Sequence, residues 1–449
     1  MSALLASAPL LLRRRGAIAD LLPIIAFAAA TGIIATVTGG LFAFIGRLPS
    51  GESTGALEGE DAVIGFLVIC AAVASALLLP SAIGFGGSAA RLSLVRRERD
   101  LAAMRLVGGT TGQVGGIAVL DVAAQALLGA IAGIALHLAA TPLLTHLDFG
   151  ITAFTVGELL LPWWAYSLIV LGIALLAVGS AAISLTGVVL SPLGVARDSR
   201  TIRMSVMRVV AWGLLILAFI GFSQIFGAVA QADLLTGITI MVLMIGAVVA
   251  GVNVAGPFIV WAVARAVAAL SPSPSLLVGA RRLAADPRSG WRAVSIITFA
   301  LIIAGMLTSI SSLEQGTTPE DTMITTAMRT GGMLTLGIAA VLAAVSTGVT
   351  QTARVIDHAP QLRSQHIAGA EVGQLHRARL AEIAIPVLLS SVLAAGTALL
   401  VVVSVIGGAT SDPAAGIQYL VSVAGAYALV IGAVLVSSPL VRRYAVRTA

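Results

Sequence analysis

The chain has 449 residues, 58% of them hydrophobic and only 10% charged, against roughly 25% charged in an ordinary globular domain. At a mean hydropathy of +1.05 it has too little polar surface to cover a water-soluble body of this length, so the composition specifies a polytopic membrane protein. All 26 basic residues are Arg, and without a Lys the chain cannot build a Walker A loop, which needs that side chain to reach the β- and γ-phosphates. Cys70 is the one cysteine, so intrachain disulfides and cysteine-rich metal sites are excluded. The five His are scattered without metal-ligand spacing, and His358 and His366 read as solvated loop residues.

Met1–Leu12 is apolar, ends in Arg13-Arg14-Arg15 and reads as a short helix on the membrane surface. Ten apolar stretches of membrane-crossing length follow: Leu21–Gly46, Ala62–Gly84, Val114–Leu143, Pro162–Leu190, Val206–Phe226, Leu234–Trp261, Ala293–Leu313, Gly332–Val349, Leu380–Ile406 and Ile417–Leu440. The first is too long for the apolar region of a signal peptide and lacks a small-x-small cleavage site before the next polar loop.

Arg placement sets the expected orientation. With the N-terminus in the cytoplasm, the inner segments hold 24 Arg and 8 acids, and the outer loops hold 2 Arg (Arg47 and Arg329) and 11 acids. That is the positive-inside pattern. It places both termini inside and explains the net charge of +6 as a basic inner membrane face, which disposes of nucleic acid as a partner. The outer loops, the longest being Arg47–Asp61, Thr145–Leu161 and Glu314–Arg329, are too short for a folded domain. The longer polar segments Arg91–Gln113, Arg265–Arg292 and Arg354–Arg379 all face the cytoplasm in this topology.

The sequence also repeats itself. At a shift of 261 residues, Leu106, Gly108, Gly112, Gln113 and Asp121 fall on Ile367, Gly369, Gly373, Gln374 and Glu382. Six spans separate the copies, an even number, so the repeats run parallel about an axis normal to the membrane. The segment Arg96-Arg97-Glu98-Arg99-Asp100 through Arg105, Leu106 and Gly108-Gly109, then Gln113 and the Leu120-Asp121 span, resembles the FtsX-like permease domain. His358–Glu382 is similar to a degenerate second copy, in which Arg363 and His366 stand at the basic positions. Arg281–Arg288 resembles the segment that precedes the first span of such a domain.

The resemblance implies an all-α integral membrane fold of ten transmembrane helices, arranged as two parallel four-helix repeats joined by two linking helices. Residues 1–20 would form the interfacial N-terminal helix and 21–190 the first repeat. Residues 191–262 would be the linking region with spans five and six, 263–292 a cytoplasmic connector, and 293–449 the second repeat. It further implies the permease subunit of an ABC transporter of the MacB/Lol/Bce type. A separate ATPase dimer, holding ATP and Mg, would dock from the cytoplasm of a bacterial cell and drive export or extraction of a lipid, drug or antimicrobial peptide. Such relatives usually carry a large external domain; the short loops here argue against an outer-membrane or large extracellular partner.

The coupling residues expected from the resemblance are Arg96, Arg97, Glu98, Arg99 and Arg105 with the turn at Gly108, and Arg363 and His366 with the turn at Gly369. The first set reads as a helix lying along the inner surface, with Leu94, Leu101 and Met104 turned away from water; an ordinary basic membrane anchor is the simpler alternative. Asp121 and Glu382, carboxylates inside spans, are expected to meet a partner or water. No paired carboxylates in an aqueous cleft and no Ser/His/Asp grouping occur, so catalysis, cofactors and metals are not expected in this chain. Two other functions fit the composition. An ion-coupled transporter would need ionisable groups near the midplane, whereas Asp121 and Glu382 lie near the inner face. A signalling anchor would need more external surface than these loops supply.

Overall fold

The computed structural model describes residues 17–48, 60–189, 206–232, 234–271, 273–311, 319–357, 364–365, 367–369, 371–406 and scattered positions between 417 and 435. The main elements are α1 (Ala17–Gly46), α2 (Glu60–Leu106), α3 (Thr111–Leu144), α4 (Val156–Leu159), α5 (Trp163–Val189) and α6 (Val206–Ala232). They continue with α7 (Leu234–Leu270), α8 (Pro274–Ala285), α9 (Pro287–Ser311), α10 (Pro319–Asp357) and α11 (Val372–Ile406). No strand occurs among the described residues, as expected where hydrocarbon leaves each backbone group to be satisfied within its own helix.

Seven stretches among the described residues are long and apolar enough to cross a membrane, and the chain is a multi-pass membrane protein. They lie in α1, α3, α5 with its lead-in, α6, α7, α10 and α11. The second and seventh expected spans are helical within α2 and α9. Most of the tenth, with the expected N-terminal helix and the joint Ser191–Ser205, falls outside the described residues.

One element differs from the sequence expectation. Arg91–Leu106 does not form a separate helix along the surface but continues α2, which runs unbroken for 47 residues. At 1.5 Å per residue that is about 70 Å, more than twice the roughly 30 Å of a hydrocarbon core. No Gly or Pro occurs between Ser88 and Leu106, so nothing interrupts the backbone ladder where the sequence turns from apolar to charged.

Helix α1 packs on α2 and α3, and α5 closes the group against α2 and α3. Likewise α9 packs on α10 and α11. Helices α6 and α7 pair with each other, and α7 leans on α9 and α11, while α10 meets α1 and α2 across the middle of the molecule. Small residues permit these approaches, because lipid offers apolar side chains no reason to prefer protein and packing must supply the attraction. A Cβ on Gly133 of α3 would lie 2.5 Å from the Ala28 carbonyl and 2.6 Å from the Thr31 Cβ of α1. Ala26 and Ala30 of α1 and Ala126 and Ala130 of α3 are fully buried in the surrounding core. By contrast Leu168, Leu171 and Leu175 of α5 and Leu214 and Leu217 of α6 are exposed, which suits faces turned to lipid. Trp163 and Trp164 are exposed where α5 begins, and near the end of α7 the Arg265 guanidinium lies 5.6 Å from the Trp261 ring centroid. Tryptophans at opposite ends of the spans match the two interfaces of a bilayer.

Candidate functional site

At the Arg-rich end of the bundle, α2 closes through Gly108, whose φ of 101° is a left-handed conformation that suits a residue without Cβ. The Gly109 N–H reaches back to the Met104 carbonyl at 3.0 Å. Helix α3 then starts at once with a capping box: the Gln113 N–H donates to Thr110 Oγ1 at 3.4 Å, and the Thr110 N–H donates to Gln113 Oε1 at 3.1 Å. Before α11 the geometry recurs. Gly369 has φ 99°, and the Glu371 N–H donates to Gln374 Oε1 at 3.3 Å. Thus the glycine and the glutamine aligned by sequence perform the same backbone tasks in both places.

Arg96, Arg97, Glu98, Arg99 and Arg105 lie on the last turns of α2 leading into the first of these turns. Arg363 and His366 fall outside the described residues. Asp121 sits on α3, where its Oδ2 accepts from Gln125 Nε2 at 2.9 Å, and Gln125 Oε1 accepts from the Ser93 hydroxyl of α2 at 2.9 Å. The carboxylate therefore belongs to a polar relay clamping α2 to α3 just inside the turn. Glu382 lies one helical turn beyond the buried Arg379 and interacts with it electrostatically, with Arg282 of α8 also in range of Arg379. Arg282 Nη2 donates to Gln365 Oε1 at 3.0 Å, and α8 presses Gly279 onto the Ala378 carbonyl of α11. Helix α8 thus braces the second turn, a task that its sequence did not reveal.

The Arg-poor end holds what sequence reasoning missed. A cavity of about 450 Å³ lies between α1, α2, α7 and α10, with Thr36, Phe44, Cys70, Ser75, Met328 and Thr335 among its lining residues. Among the described residues that line it, none is Arg, Asp, Glu or His, and its volume falls in the range of small-ligand sites. Behind it, Thr36 Oγ1 contacts His137 Nδ1 at 3.1 Å. Over its end, Arg47 forks onto Glu158, with Nε to Oε1 at 2.8 Å and Nη2 to Oε2 at 3.0 Å. The same guanidinium donates to the Thr152 and Ala153 carbonyls and lies 4.0 Å from the Phe154 ring centroid. Apolar lining and long sequence separations left this constellation without any motif.

Residues 72–189 match the family model of the FtsX-like permease C-terminal domain. The match runs from within α2 to the end of α5, so the FtsX-like segment contains the basic extension, the Gly108 turn and the Asp121 relay. No curated protein matches the chain.

Proposed function

We propose that this chain is the permease subunit of an ABC transporter, driven by a separate ATPase dimer that docks at the Arg-rich end. That end faces the cytoplasm of a bacterial cell, and both termini lie there. The FtsX-like match carries this reading, because it spans the element that joins the basic end of α2 to the membrane helix α3. The unbroken α2 supports it mechanically: a continuous helix transmits displacement at its basic end to the span, where a flexible link would absorb it.

The recurrence of the glycine turn and glutamine cap at Gly369 and Gln374 supports a second, parallel repeat, giving a twofold ATPase dimer two equivalent seats. Ten spans in two four-helix repeats joined by α6 and α7 fit the helix pairing. The apolar cavity between α1, α2 and α10 is the substrate chamber, suited by its uncharged lining to part of an apolar or amphiphilic molecule. The chain contributes no ATPase site, cofactor or metal; ATP and Mg reside on the partner.

Co-expression with a candidate ABC ATPase subunit from the same genome tests the reading. The two should co-purify, and Arg97→Glu with Arg99→Glu should weaken association by roughly 1–3 kcal/mol if those charges are desolvated at the interface. Wild-type affinity and wild-type substrate-stimulated hydrolysis in that double variant would leave the end of α2 as a membrane anchor only.

A further inference from the structure

The loop of residues 145–161, between α3 and α5, covers the apolar chamber and grips the two sides of it unequally. Its Leu147, Phe149, Phe154 and Leu159 line the cavity. Phe149 and Phe154 meet Phe44 of α1 edge-on, at centroid distances of 5.4 and 5.0 Å. On the α1 side the grip is strong, since Arg47 holds the Glu158 carboxylate with two parallel N–H bonds and two loop carbonyls besides. Charge-assisted, bidentate contacts of this kind are the strong class of hydrogen bond.

On the α10 side the grip is of another kind. Ala327 joins the aromatic cluster through apolar contact, and the Thr330 hydroxyl donates to the Asp148 carbonyl at 2.5 Å. Gly150, at φ 70°, lies so close to α10 that a Cβ there would be 2.7 Å from the Met323 carbonyl oxygen. The Asp148 carboxylate fixes this bend by accepting from the Gly150 N–H at 2.8 Å. Among the described contacts of the loop, neutral and apolar ones face α10, whereas an ion pair faces α1.

We propose that residues 145–161 form a lid over the chamber that travels with α1 and parts from α10 at the Thr330–Gly150 seam. When α10 separates from α1 and α2, the Arg47–Glu158 fork keeps the loop on its own half, and the chamber opens beside Met323 and Thr330. The lid rests on the reading of this cavity as the substrate chamber, and it assigns the access route to one seam.

Cys70, the chain's one cysteine, lines the chamber and reports on the seam without a known substrate. In the full chain reconstituted in lipid nanodiscs, a charged, membrane-impermeant maleimide should modify Cys70 at a rate proportional to the open fraction. Thr330→Val keeps the shape of the side chain and removes the hydroxyl; it should raise that rate about three- to tenfold, the range one net hydrogen bond implies. Thr330→Ser, which keeps the hydroxyl, should react at the wild-type rate, and Gly150→Ala should react faster than Thr330→Val. Modification of Thr330→Val at the wild-type rate would overturn the lid. A responsive Cys70 in a chain that binds no ATPase would instead leave the lid standing and sink the transporter reading.

Discussion

Gly108 and Gly369 show how a single atom's absence shapes the Arg-rich end. Both sit at φ near 100°, where a side chain costs about 1–3 kcal/mol of strain and a β-branched one most. Among the described residues neither has a neighbour within 4 Å of an added Cβ, so Val at either position is opposed by backbone conformation. On the proposed function, Gly108→Val should leave ATPase association largely intact and lower the substrate moved per ATP hydrolysed, measured in proteoliposomes. Gly369→Val should do the same. Unchanged coupling in both variants would show that the turns only connect helices. These glycines were legible in the sequence because register alone aligns them. Arg47 was not: it looks like an ordinary loop charge, and its carboxylate partner lies 111 positions away. No local pattern encodes that distance.

Helix α2 was half legible. Its apolar half announces a span and its charged half announces exposure to water, but a change in composition does not by itself turn a helix. Only Gly, Pro or an inserted group bends a helix sharply, and none stands between Ser88 and Leu106. The crossing of α1 and α3 is a clearer case of shape decided by small residues. Gly133→Val should push the Ala28 carbonyl and Thr31 away from α3 and destabilise the protein by about 1–3 kcal/mol. Thermal unfolding in nanodiscs would register this as a lowered midpoint. Gly172→Ala on α5, where an added Cβ meets no described atom within 4 Å, serves as the control and should leave the midpoint in place. Equal midpoints for the two variants would mean that the α1–α3 contact yields without cost. In the sequence Gly129 and Gly133 look like any of the small residues that fill membrane helices; which of them touch a neighbour depends on rotation about the helix axis, and apolar faces all round leave that rotation unspecified.

Across the whole molecule, the same pairing recurs: α1 with α2 and α3, and α9 with α10 and α11. Membrane class was readable from composition because hydrocarbon demands long apolar helices, and seven of the ten expected spans coincide with helices long and apolar enough to cross among the described residues. The chamber was not, since it is built from ordinary apolar residues of four helices and gains its character only from where they stand apart. If one chain holds two equivalent turns, it should seat two ATPase subunits by itself, and a transporter in which each permease chain carried one turn would need two chains. Native mass spectrometry of the purified complex measures this directly. The proposed architecture predicts a mass of one 45.3 kDa chain with two ATPase subunits; one ATPase subunit per chain, or two permease chains for two ATPases, would contradict it.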